Sequence, residues 1–114
     1  MEGERFVSSD ICLVYMTAGS PEEAGSIGEA LVAEHLAACV NLIEGMTSIY
    51  RWEGKAQRET ETVIIAKTTR ARVAALSERV KELHSYECPC IVQLPIEDGN
   101  DEFLSWVSNQ VKLN

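Results

Sequence analysis

The sequence predicts an α+β fold whose elements follow the order β-α-β-β-α-β, with one additional helix at the C-terminal end. Three observations predict this order. A long hairpin signal fills residues 39–67, a capped helix start follows the first strand at Ser20-Pro21, and apolar residues alternate with a period of two between Cys90 and Glu97.

The first strand is predicted from Asp10 to Thr17, and it is apolar on both faces, which favours an interior position in a sheet. The helix that follows begins with Ser20 as cap and Pro21 at the first helical position, and Glu23 can complete a capping box. This helix is expected to end near Glu34 or His35.

The hairpin from Cys39 to Lys67 is the longest β signal in the chain. β-branched and aromatic residues dominate both ends, and Glu53-Gly54 supplies a turn that tolerates positive φ. Gly45 predicts a bend or bulge in the first arm. Because such a long hairpin leaves an edge that must be paired or protected, the sequence favours an oligomer.

A second helix is predicted from a Thr69 cap to His84. Its buried stripe consists of Val73, Leu76, Val80 and Leu83. The last strand contains Pro95, which lacks a backbone donor and therefore predicts an edge position. Asn100 is expected to cap the short final helix.

This element order is that of the ferredoxin-like βαββαβ sandwich, in which two helices cover one face of an antiparallel sheet. The other face then needs cover, and self-association would supply it. The length of 114 residues predicts a single domain over residues 1–114, with Met1–Ser9 as a loose leader.

The composition argues against several function classes. A net charge of -8 disfavours unassisted binding to nucleic acid or to anionic lipid, since both favour basic surfaces. No stretch is long and apolar enough to span a bilayer, and the acidic start does not read as a signal peptide, so the sequence predicts a cytoplasmic location. The four cysteines are expected to be thiols.

Five motifs occur in order along the chain: Leu36–Asn41, Ser48–Lys55, Lys67–Thr69, His84–Pro89 and Leu94–Asn100. Together they resemble the CutA-type divalent-cation tolerance proteins, over residues 11–107. The resemblance implies a homotrimer of ferredoxin-like subunits, joined through the long hairpin and the C-terminal segment. It also implies a link to tolerance of divalent metals, copper especially, and it implies no enzymatic reaction.

The resemblance also directs attention to two candidate metal ligands, Met16 and His84. His84 matches the histidine that opens the family's His-Pro-Tyr motif, and imidazole is a suitable copper ligand. Some copper-binding members carry a cysteine where this chain has Met16, and paired histidines where it has Leu83-His84. In the alternative interpretation Met16 fills the core and His84 complements the helix dipole.

Four further residues, in or between the matching motifs, would line a cleft between subunits of a trimer: Trp52, Glu61, Lys67 and Tyr86. This set suits an anionic or aromatic small ligand, and the same residues also suit a plain subunit interface. A ligand-binding cleft of this kind would also suit an alternative function, that of a signalling module resembling the trimeric PII class. An acylphosphatase-like enzyme would need an arginine after the first strand, where residues 17–20 have none.

The Cys88-Pro89-Cys90 segment can be interpreted in two ways. Residues two apart on an extended segment point the same way, so both thiolates can share one soft ion. Free cysteine also behaves as a small buried hydrophobe, which is the expectation for Cys12 and Cys39. His35 is expected to be solvated at a helix end.

Overall fold

The computed structural model describes residues 10–113, and its elements confirm the predicted order. The predicted leader Met1–Ser9 lies outside the described residues. The elements are β1 (Ile11–Ala18), α1 (Pro21–Ala33), β2 (Cys39–Trp52), β3 (Lys55–Thr69), α2 (Arg70–Leu83), β4 (Ile91–Pro95) and α3 (Asp101–Gln110).

The four strands form one antiparallel sheet in the order β2-β3-β1-β4. β4 is an edge strand that pairs with β1 alone, and Pro95 stands opposite Cys12 at its end. The edge position predicted from Pro95 is therefore confirmed, since a residue without an N–H is tolerated where the ladder has no second neighbour.

The hairpin formed by β2 and β3 extends beyond the rest of the sheet. Its turn has Glu53 at φ 51° and Gly54 at φ 81°, and Gly45 at φ 76° accompanies a register shift between Ile43 and Met46. The predicted turn and bulge are thus confirmed. β1 pairs with residues 62–69 of β3 only, so residues 55–61 project as a two-stranded arm in a molecule measuring 58 × 25 × 22 Å.

Two apolar clusters stabilise the fold. The first lies between one sheet face and the helices α1 and α2, and its largest members are Met16, Ile27, Leu31, Ile64, Leu76 and Val80. The second attaches α3 to the start of β1, and its members are Ile11, Ala38, Leu104, Val107 and Val111. Burial of these side chains supplies most of the favourable free energy of folding.

On the sheet face opposite α1 and α2, α3 covers the end near Ile11, and exposed apolar side chains lie on the two edge strands. Alternation along the strands places Val92 and Leu94 on this face, beside their β1 partners Tyr15 and Leu13. Val92 is 49% exposed, Leu94 44% and Ile43 on β2 53%. We call these three residues the open sheet patch.

The caps of α1 and α3 follow the prediction, and that of α2 does not. Ser20 accepts a hydrogen bond from the Glu23 N–H at 3.1 Å, and Asn100 accepts from two N–H groups of α3. Thr69 occupies the cap position of α2, but its side chain makes no cap hydrogen bond. The prediction that Leu83 is buried was also wrong, because His84 takes the buried position at this end of the helix while Leu83 is 36% exposed.

Replacing Ser20 by alanine is expected to lower the free energy of unfolding by about 1 kcal/mol, because the N-terminal turn of α1 loses its side-chain acceptor. Thr69→Ala is the matched control, since it alters the same position of α2 without removing a cap hydrogen bond. Urea unfolding measures both variants. Equal losses of unfolding free energy in the two variants would show that the Ser20 cap hydrogen bond does not stabilise the protein.

Candidate functional site

His84 lies at the C-terminal end of α2, with its side chain fully buried. The Tyr86 backbone N–H donates to His84 Nδ1 at 3.0 Å, so Nδ1 acts as an acceptor. His84 Nε2 lies 2.7 Å from the carbonyl oxygen of Thr17, and it must donate because a carbonyl only accepts. Both ring nitrogens are therefore engaged in hydrogen bonds that attach the α2–β4 loop to the end of β1.

The side chains of the two predicted metal ligands, Met16 and His84, are both enclosed within the protein. Met16 is fully buried in the cluster between the sheet and the two helices. Coordination by His84 would require its ring to give up the Tyr86 N–H or the Thr17 carbonyl. Among residues 10–113 no group of three or more histidine, cysteine, aspartate or glutamate side chains is placed to hold a metal ion.

Glu61 is the buried centre of a second hydrogen-bond network. It is 8% exposed, and its carboxylate accepts from Ser48 Oγ at 2.6 Å and from the Tyr86 hydroxyl at 2.9 Å. The Tyr86 ring is tilted against the His84 ring with centroids 4.6 Å apart. A Cβ at Gly19 would lie 3.1 Å from the Tyr86 hydroxyl, so glycine leaves room for this approach. The network connects the hairpin arm to the His84 contacts.

Charge and burial adjust the acidity of two groups beside Glu61. Burial, the hydrogen bond to Glu61 and the charge of that carboxylate raise the pKa of Tyr86 to about 12. Burial, and then the charge of Glu61, raise the pKa of the Cys90 thiol. Tyr86 therefore remains a hydrogen-bond donor across the neutral range, and it is poorly suited to act as a base or nucleophile.

The α2–β4 loop has a further anchor on α1. The Glu23 carboxylate accepts from the Ser85 backbone N–H at 2.7 Å and from the Ser85 hydroxyl at 3.1 Å. Burial alone would raise the pKa of Glu23, but these hydrogen bonds, together with the electrostatic influence of His84 and a hydrogen bond from the Gly19 N–H, lower the pKa below its ordinary value. The predicted role of Glu23 in a capping box is replaced by this contact with the loop.

The raised pKa of Tyr86 predicts an ionisation step near pH 12 when the three tyrosines are titrated spectrophotometrically. Because the folded-state value lies above the unfolded value near 10, the stabilisation that Tyr86 provides is complete below pH 10 and is lost as the pH rises through about 12. Tyr86→Phe is expected to remove the step near pH 12 in the absorbance of tyrosinate. The hydrogen bond to Glu59 also raises the pKa of Tyr50, so Tyr50→Phe is the control and should leave the step near pH 12 in place. A step near pH 12 that survives in Tyr86→Phe would contradict the assignment.

The structure brings together only two of the four predicted cleft residues, Glu61 and Tyr86. Lys67 lies six residues along β3 from Glu61, and its ammonium donates to the Asn41 side chain. Trp52 pairs with Lys55, six residues from Glu61 in the other direction, and is 59% exposed. At about 3.3 Å per residue, each lies about 20 Å from Glu61 along the hairpin.

Sequence reasoning missed the partners of the network, Ser48 and Ser85, which carry no distinctive local signal. Ser48 reaches Glu61 only because of the hairpin register, in which Ser48 stands opposite Glu59 and diagonal to Glu61. The expectation for Cys12 is confirmed, since it is fully buried. His35 is exposed as expected, and its Nδ1 lies 3.0 Å from the Gln110 carbonyl oxygen.

Comparisons with known proteins agree on one family. The model of the family described as "CutA1 divalent ion tolerance protein" matches residues 12–110. A protein of Thermus thermophilus described as "Divalent-cation tolerance protein CutA" is 50% identical over 95 residues, which cover 83% of this chain and 92% of that protein. "Protein CutA 1, chloroplastic" of Oryza sativa is 39% identical over 100 residues, covering 88% of this chain and 56% of the relative.

A solved structure shares the same architecture. It is described as "Periplasmic divalent cation tolerance protein CutA" from Archaeoglobus fulgidus, and it superimposes with a TM-score of 0.87 at 42% identity. The match covers 90% of this chain and 99% of that structure. Within residues 10–113, no helix has the length and apolar character needed to cross a membrane.

Proposed function

The chain belongs to the CutA1 divalent ion tolerance family, and we propose that it supports tolerance of divalent metal ions, copper in particular, in the cytoplasm. The family match over residues 12–110 is the observation that carries this proposal. The relatives described above are all CutA proteins, which favours this role over a signalling module of the PII type. The proposed role is one of binding and assembly, without catalytic turnover.

We propose that the functional form is a homotrimer of ferredoxin-like subunits. The β-α-β-β-α-β order and the strand order β2-β3-β1-β4 support the subunit architecture. The open sheet patch supports the assembly, because its large apolar side chains, Ile43 on one edge strand and Val92 and Leu94 on the other, are exposed in the single chain, as they often are at interaction sites. The arm at residues 55–61 adds an edge that a neighbouring copy can pair with.

The proposed cleft would then form between copies. One chain holds Lys67 and Trp52 about 20 Å from Glu61 along the hairpin, so a single subunit does not assemble the four residues. In a trimer, Lys67 or Trp52 of one copy would stand beside Glu61 and Tyr86 of another. Such a cleft would combine a cation with aromatic surface, which suits an anionic or aromatic ligand.

Metal contact by His84 and Met16 stays a prediction, and native mass spectrometry during titration with Cu(II) tests it. Loss of copper in His84→Gln, with the trimer mass intact, would support His84 as a ligand. Unchanged copper uptake would leave His84 with its hydrogen bonds to Thr17 and Tyr86 as its role. Met16→Leu is the matching variant for the thioether, since it conserves volume in the core.

Growth at inhibitory copper concentrations tests the tolerance role. A bacterial strain that lacks its own family member would express this chain or carry an empty vector. We expect the chain to raise the Cu(II) concentration that stops growth, while tolerance of excess Mg(II) stays the same. Equal sensitivity of the two strains at matched soluble expression would refute the proposed function.

A further inference from the structure

A cavity of about 440 Å³ lies between the start of β1, the start of α2 and the segment that follows α3. Thr69, in its wall, pairs with Ile11 at the start of β1, whereas His84 contacts the carbonyl of Thr17 near the other end of that strand. The cavity is therefore separate from the His84 and Glu61 networks. Its volume falls within the range of about 300–1,000 Å³ that small-molecule sites occupy.

Positive charge is concentrated around this cavity. Arg70, Arg72 and Lys112 line it, so three of the ten lysines and arginines of the chain meet here. Asp10 is the acid among the lining residues, and the wall therefore carries more positive than negative charge in a chain whose net charge is -8. Because a cleft lined by one sign of charge concentrates ions of the opposite sign, this cavity favours an anion.

Arg72 is fixed in position by the fold. Its side chain is partly buried, and its Nε and Nη2 donate to the His35 carbonyl oxygen at 3.2 and 3.0 Å. A carbonyl oxygen carries no net charge, so this contact orients the guanidinium without neutralising it. The remaining guanidinium donors are available to an anion, and an oriented side chain loses less conformational freedom when a ligand binds.

The neighbouring groups of α2 are compatible with an anion in the cavity. Thr69 is partly buried and its side chain makes no cap hydrogen bond, so its hydroxyl is a further donor in the wall. The first turn of α2 contains no acidic side chain that would repel a negative charge. On the α3 side, Val111 and Leu113 give the wall an apolar part.

We propose that this cavity binds a small phosphate monoester, whose phosphate contacts Arg70, Arg72 and Lys112. The planar guanidinium fork matches the geometry of phosphate oxygens, and a lysine adds a point charge. The organic part of the ligand would pack against Val111 and Leu113. The site binds without chemical change, and it depends neither on the proposed tolerance of metal ions nor on the trimer.

Isothermal titration calorimetry of the full chain with phenyl phosphate tests the inference. We expect one phenyl phosphate per chain, with binding that weakens as salt is added, because the attraction is between charges. Inorganic phosphate should compete for the same site but bind several-fold more weakly, since it makes no apolar contact. Equal affinity for the two probes would show that the site takes the free ion, and the assignment to a monoester would be wrong.

Charge-removing variants locate the binding site. Arg70→Gln and Lys112→Gln should each weaken the binding of phenyl phosphate by about 10-fold or more, because each removes a charge-assisted hydrogen bond to the phosphate. Arg58→Gln is the matched control, since it removes the same charge from an exposed arginine of β3 that lies outside the cavity. This control should retain the wild-type affinity.

Circular dichroism would show that the three variants are folded, as expected for the exposed side chains of Arg58, Arg70 and Lys112. The inference is overturned if phenyl phosphate does not bind to the wild type, or if both cavity variants bind it as the wild type does. Equal weakening in Arg58→Gln would also overturn it, because overall charge and not the cavity would then decide the affinity.

Discussion

Val92→Arg is expected to convert the proposed trimer into monomers with the mass of a single chain, 12.6 kDa. Val92 is the second residue of β4, belongs to the open sheet patch and is 49% exposed in the single chain. If a neighbouring copy covers this patch, the arginine would be buried without a partner, at a cost of several kcal/mol per copy. Native mass spectrometry at a fixed concentration measures the mass directly.

Val32→Arg is the control for this experiment. Val32 is a similarly exposed valine at 42%, but it lies on α1, which covers the opposite side of the sheet. This variant should remain trimeric. A monomeric wild type would refute the assembly, whereas a trimeric Val92→Arg would show that the copies meet through another surface.

His84→Phe is expected to lower the free energy of unfolding by about 2–4 kcal/mol. Phenylalanine fills a similar volume, but it leaves the buried Thr17 carbonyl and the partly buried Tyr86 N–H without a partner. Each unsatisfied buried group costs about 1–3 kcal/mol. Urea unfolding at constant protein concentration is the measurement, because association of the chain would otherwise shift the apparent stability.

His35→Asn is the control for His84→Phe. His35 is exposed and has a φ of 59°, a left-handed conformation that asparagine tolerates better than most residues. The loss of unfolding free energy in His35→Asn should stay below about 1 kcal/mol, since water can replace a surface hydrogen bond. A stability of His84→Phe equal to that of the wild type would show that Thr17 and Tyr86 find other partners.

The outcome of His84→Phe also bears on any copper experiment with His84. If the histidine stabilises the α2–β4 loop, a disruptive variant can lose copper because the loop rearranges. The loop also carries Cys88 and Cys90, so loss of copper would not identify the ligand. Variants that preserve a hydrogen-bonding side chain, such as His84→Gln, therefore give the clearer result.

Features that depend on a few neighbouring residues could be predicted from the local sequence. Ser20 and Pro21 predicted the start of α1, Gly45 predicted the bulge, and Pro95 predicted an edge strand. Each of these residues restricts or permits particular φ and ψ values, or removes a backbone donor, whatever the rest of the chain does. The order of elements followed from the same local signals.

Tertiary structure alone decided the chemistry of the candidate site. Glu61 and Tyr86 are 25 residues apart, and they meet because the hairpin register and the path of the α2–β4 loop place them together. His84 was a candidate ligand by its residue type, yet the positions of Thr17 and Tyr86 engage both of its ring nitrogens. Whether the donor atoms of a side chain are available for coordination depends on which distant groups fold against them. A short stretch of sequence does not encode this availability.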